Sequence, residues 1–204
     1  MKPLPLALAA TLFASPLFAF TVTKNVNTGQ LPTDKLIIFQ KGQAAEKITF
    51  FDNANCRMSI LADGTVESRI TGGGEVKCGF TLPQPFNTKD YGYLVITCRL
   101  EGTNKITGPN GKTTDQARPD NLWFSASFFD AKGSPVGGAN LADGSPDGKT
   151  PNQTVTIVLP MLLFTYFGDH DSSQVQGVGF SWPKSRVNIS RDYHLIIEKV
   201  ALAN

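Results

Sequence analysis

The sequence predicts an all-β fold, a β-sandwich of the jelly-roll kind made of two antiparallel sheets. Three observations carry that expectation. Helical periodicity is hard to find after residue 20, whereas runs of five to nine residues rich in Val, Ile, Phe and Thr recur along the chain. Clusters of turn formers separate the runs, among them Ala62-Asp63-Gly64, Gly72-Gly73-Gly74, Asp130-Ala131-Lys132-Gly133 and Asp143-Gly144. Many short strands at such spacing, with no alternating helices, favour a sandwich over a parallel α/β sheet.

Taken in order, residues 1–19 (MKPLPLALAATLFASPLFA) read as an export signal rather than structure. Lys2 supplies the positive start, an apolar stretch follows, and small residues surround a cut after Ala19. The apolar run is shorter than the roughly 20 residues a membrane span needs. Residues 20–204 then form a single domain, long enough to bury its own core. The expected strands are 20–26, 34–40, 47–52, 56–61, 65–70, 75–82, 92–102, 122–130, 154–162, 175–182 and 193–202. Two polar stretches rich in Gly, Pro and Asn, 101–121 and 131–153, read as long loops. The second is expected to contain a hairpin through Gly133-Ser134-Pro135.

The full chain has a formal charge of +2, and its leader carries one lysine and no acid. A domain so near neutrality has no electrostatic footprint for nucleic acid or an anionic membrane, and its partner is expected to be uncharged or recognised locally. Three cysteines occur. Cys98 shares the apolar face of Leu94, Ile96 and Leu100, and Cys56 and Cys78 are expected to form a disulfide in an oxidising compartment.

Catalytic patterns are sparse. The chain has no G-x-S-x-G elbow, no H-E-x-x-H and no phosphate-cradling glycine loop, and its histidines are His170 and His194. No strand places two carboxylates at i and i+2 for glycoside hydrolysis. Asp143, Asp147, Asp169 and Asp171 lie in oxygen-rich loops that would suit a structural calcium ion. Aspartates are also ordinary turn formers, and on that reading no cofactor is expected.

Aromatic residues say more. In the stretch NLWFSASFF, Leu122, Phe124, Ala126 and Phe128 fall on one side of a strand, and Trp123, Ser125, Ser127 and Phe129 on the other. Tyr93 lies with Val95, Thr97 and Arg99, opposite Leu94, Ile96 and Cys98. If the two strands share a sheet, their outer faces combine into a surface carrying Tyr93, Thr97, Arg99, Trp123, Ser125 and Ser127. Aromatic faces with neighbouring hydroxyls are the residue types on which a sugar ring stacks and hydrogen-bonds. Trp182 and Tyr193 alternate with apolar neighbours and read as core.

From residue 91 onward the chain resembles the galactose-binding-domain-like jelly rolls, which include many carbohydrate-binding modules. The resembling stretches are YGYLVITCRLEG, LWFSASFFDAKGSPVGG, TVTIVLPMLLF, SSQVQGVGFSW and YHLIIEKVAL. The resemblance implies a secreted, non-catalytic carbohydrate-binding sandwich. The alternatives are a secreted polysaccharide hydrolase or lyase whose site forms only in three dimensions, with Arg99 and His194 as its candidates, or a structural or host-interaction protein that uses the long loops. Asn152-Gln-Thr and Asn188-Ile-Ser would accept N-glycans in a host that adds them.

Overall fold

The computed structural model of the chain describes residues 31–72, 74–101, 104–107, 110, 112–116, 125–140, 154–168, 171–182 and 194–204. Residues 1–30, Trp123, Asp143, Asp147, Asn152, Asp169, His170, Asn188 and Tyr193 lie outside this set, and with them the expected leader and first strand. The described part is strand throughout, joined by turns and three single 3-10 turns at Ala45–Lys47, Thr88–Asp90 and Met161–Leu163.

The first sheet contains β1 (Asp34–Gln40), β3 (Cys56–Ile60), β4 (Val66–Ile70), β6 (Tyr93–Glu101), β11 (Val155–Pro160) and β14 (His194–Ala203). Its order is β11-β6-β14-β4-β3, and β1 pairs with the C-terminal half of β14. The second sheet contains β2 (Phe50–Asp52), β5 (Val76–Phe86), β9 (Ser125–Phe129), β10 (Pro135–Asn140), β12 (Thr165–Tyr166) and β13 (Val175–Trp182), in the order β12-β10-β9-β13-β5-β2. All pairings are antiparallel. A separate hairpin, β7 (Asn104–Thr107) with β8 (Thr113–Gln116), occupies part of the stretch expected to be loop. The hairpin expected through Gly133 is β9–β10, closed by Asp130, whose Oδ1 accepts from the N–H groups of Lys132 and Ser134.

The inward faces of the two sheets form one core. Leu94, Ile96 and Cys98 of β6 and Leu195 and Ile197 of β14 meet Phe80 of β5, Phe128 of β9 and Phe180 of β13. Phe39 of β1 stacks on Phe80 at 5.2 Å, tying the sheets together at one end. In β14 the inward positions change from Leu195 and Ile197 to Val200 and Leu202. A register shift at Glu198 allows this, because the extra residue of a bulge reverses the alternation.

The expected Cys56–Cys78 bridge is not formed in this structure. Both are buried free thiols, as is Cys98.

Candidate functional site

The strand register decides which outward side chains can act together. β6 pairs with β11 and β14, whereas β9 pairs with β10 and β13. The two strands therefore belong to opposite sheets, and their outward faces point away from each other. The combined surface expected from Tyr93, Thr97, Arg99, Trp123, Ser125 and Ser127 is divided. Tyr93, Thr97 and Arg99 lie on the outer side of the first sheet, Ser125 and Ser127 on the outer side of the second, and Trp123 outside the described residues.

On the first sheet the outer face is occupied by its own polar contacts. Thr97 Oγ1 and Thr156 Oγ1 share a hydrogen bond at 3.0 Å. Arg99 donates through Nη1 to Glu198 Oε1 at 3.2 Å and through Nε to Glu101. Glu198 also accepts from the Thr154 hydroxyl. One register step away, His194 Nδ1 lies 2.6 Å from Glu67 Oε1, which also accepts from Arg69. Arg99 and His194 do come together on one face, where each is held by carboxylates.

The second sheet is built differently. One row of paired residues runs across it: Thr165 of β12, Gly138 of β10, Ser127 of β9, Gly179 of β13, Gly79 of β5 and Phe51 of β2. On one side of that row Ser125 pairs with Ser181, and Ser181 with Lys77; on the other Phe129 pairs with Gly177, and Gly177 with Thr81. The middle of the face is thus floored by glycine and serine and carries aromatic rings at its sides. A hollow of about 520 Å³ opens there, lined by Ser125, Ser127, Ser181, Gly138, Phe129 and Phe167 with the Glu75–Lys77 ion pair at one end. Across Phe129 lies a smaller hollow of about 210 Å³ whose walls include Phe51, Thr81, Lys132 and Gly177.

Close packing makes this floor. A side chain at Gly179 would stand 2.1 Å from the Cys78 carbonyl oxygen, and one at Gly79 would stand 2.5 Å from the Gly179 Cα. Only glycine fits where β5 and β13 approach so closely. The Phe51 ring lies over the space at Gly79 and packs edge-on against Phe129, centroids 4.6 Å apart. Phe167, 45 % exposed, stands over Gly138 on the opposite side. At the bottom, Ser127 is only 4 % exposed and shares a 3.2 Å hydrogen bond with Ser181. One such bond leaves this hydroxyl pair with a further O–H and several lone pairs to offer. The site is uncharged but for the Glu75–Lys77 pair, whose members neutralise each other.

Sequence reasoning found Ser125, Ser127 and the outward position of Phe129, and missed the glycines, Ser181, Phe51 and Phe167. A signal for the first group exists: Gly177, Gly179 and Ser181 alternate with Val178 and Phe180, leaving the outer face of β13 nearly bare. Of the aspartates considered for calcium, Asp171 is described. Its carboxylate accepts the Ser173 N–H, which holds it below the usual carboxylate range, as in a turn.

No family model matches the sequence, and no curated protein is similar to it in sequence. Solved structures superpose on most of this chain. A family 11 carbohydrate-binding module of a cellulosomal cellulase of Clostridium thermocellum superposes with a TM-score of 0.49 at 9 % identity, over 85 % of this chain and 96 % of that one. A family 29 carbohydrate-binding module gives 0.45 at 13 %, over 81 % and 89 %. An arabinose-bound α-L-arabinofuranosidase gives 0.50 at 8 %, over 84 % of this chain and 27 % of the enzyme. The chain is a β-sandwich by its own sheet topology, and at these identities the superpositions concern the fold alone. No helix among the described residues is long and apolar enough to cross a membrane.

Proposed function

We propose that this chain is an exported, non-catalytic carbohydrate-binding protein that holds a neutral glycan in the hollow on the outer face of its second sheet. One observation carries the reading: a floor of glycines and serines lies between Phe129 and Phe167. Without a side chain at Gly138, a sugar ring approaches the sheet closely and meets the Ser127–Ser181 hydroxyls. The half-exposed Phe167 ring offers flat apolar surface to its C–H face, and the buried Phe129 ring closes the far wall. The absence of net charge in the site suits an uncharged ligand. Export is read from residues 1–19, and the solved carbohydrate-binding modules of like fold make glycans the first ligand class to test.

The test is retention on a panel of insoluble and immobilised polysaccharides. Phe167→Ala, at a half-exposed side chain whose loss leaves the core intact, is expected to weaken retention on the best ligand by about tenfold or more. Thr97→Ala, on the outer face of the other sheet, is expected to bind like the unmodified protein. Equal retention of both variants rules out the hollow, and no retention of the unmodified protein on any glycan rules out the function.

A further inference from the structure

Beneath the groove floor the core contains two thiols that enter from opposite sheets. Cys56 comes from β3 of the first sheet and Cys78 from β5 of the second, and both are fully buried. They share one hydroxyl: Ser68 Oγ on β4 lies 3.2 Å from Cys56 Sγ and 3.1 Å from Cys78 Sγ. The neighbouring sulfur and burial push the Cys78 thiol up, whereas the Cys78 sulfur and the Ser68 hydroxyl hold the Cys56 thiol down against its own burial. The shared serine brings the two sulfurs to one point of the core from opposite sheets. Cys98 faces the core from β6, where burial pushes its thiol up to about 12.

We propose that Cys56 and Cys78 close into a disulfide when the chain folds in an oxidising compartment, joining the two sheets directly under the groove. The Cys56 thiolate attacks a disulfide of the glutathione or protein-oxidant class, forming a mixed disulfide and releasing one thiol. The Cys78 thiolate then displaces the second sulfur of the oxidant. The two cysteines lose two protons and two electrons, and the oxidant's disulfide becomes two thiols. Because both sulfurs are inaccessible in the folded chain, exchange takes place before the sheets close, and the finished bond is shielded from reductants. The bond encloses the hairpin of β3 and β4 and the turn into β5, and so constrains the unfolded chain. It also anchors β5 at the residue between Lys77 and Gly79, both of which face the groove side. This inference does not depend on what the groove binds.

The full chain, exported by a host with an oxidising periplasm, is denatured with an alkylating agent and no reductant, then digested and weighed. The expected result is a mass one alkyl group above the reduced chain's less about 2 Da for the bond, a cross-linked peptide joining Cys56 to Cys78, and alkylation at Cys98 alone. Reduction is expected to lower the melting temperature by about 6–12 °C. Cys98→Ala keeps the mass deficit, whereas the Cys56→Ser, Cys78→Ser double variant loses both the deficit and the response to reductant. Alkylation of all three cysteines, or a cross-link that contains Cys98, overturns the proposal.

Discussion

Alanine at Gly179 is expected to destabilise the sandwich far more than alanine at Gly138, although both glycines lie in the same row of the groove floor. A Cβ at Gly179 meets backbone on two sides, 2.1 Å from the Cys78 carbonyl oxygen and 2.7 Å from the Gly79 Cα. Ordinary heavy-atom contact needs about 3.5 Å, so β5 and β13 must part by about 1 Å or break a rung of their ladder. Neither obstacle is a side chain that can rotate away. The cost belongs at the upper end of the roughly 1–3 kcal/mol typical of overpacking. For a domain of this size that is a melting temperature lower by about 4–12 °C. At Gly138 the nearest atoms are the Ala126 carbonyl and the Ser127 hydroxyl at 3.3 Å, which a small shift relieves. There the added crowding is offset by the smaller entropy of the unfolded chain, and a change within about 1 kcal/mol is expected. Urea unfolding of both variants in one redox state, followed by circular dichroism, gives the two values. A Gly179→Ala midpoint equal to or above that of Gly138→Ala would refute the close approach of β5 and β13 on which the flat floor depends.

Other expectations concern the opposite sheet and the core. Arg99→Ala removes partly buried ion pairs with Glu101 and Glu198 and leaves two carboxylates facing each other without their cation; a loss of about 1–2 kcal/mol in urea unfolding is expected, with glycan retention unchanged. Cys98 makes the folded chain sensitive to alkali. Burial raises its folded pKa to about 12 from an ordinary value of 9.0, so between those pH values the unfolded chain has released a proton that the folded chain keeps. The contribution is complete below pH 9 and is lost as the pH rises, with a slope of about 1.4 kcal/mol per pH unit. Urea unfolding of Cys98→Ala across that range should show a shallower decline than the unmodified chain.

Much of the architecture could be read from single strands. β1 and β13 begin and end where their apolar alternation does, and the turns at Ala62–Gly64 and Asp130–Gly133 fall where their residue types demand. The hairpin β7–β8 escaped because it lies in a polar stretch without a period-two apolar pattern. The division of the candidate surface escaped for another reason. Alternation states which side chains share a face of one strand, but not which sheet that strand joins. β6 finds its partners in β11 and β14, far along the chain, and β9 finds one of its two in β13. The bare outer face of β13 was present in the residues Gly177, Gly179 and Ser181. It gained meaning only when Gly79 and Ser127 came to lie beside it.

Whether the ligand lies on the second sheet is decided by backbone amide spectra of the isotopically labelled protein. The protein is titrated with a soluble oligosaccharide taken from the polysaccharide it retains best. Shifts are expected at Ser125, Ser127, Phe129, Gly138, Gly179 and Ser181, with Thr97, Arg99 and His194 unmoved. Shifts confined to β6 and the N-terminal half of β14 would contradict it.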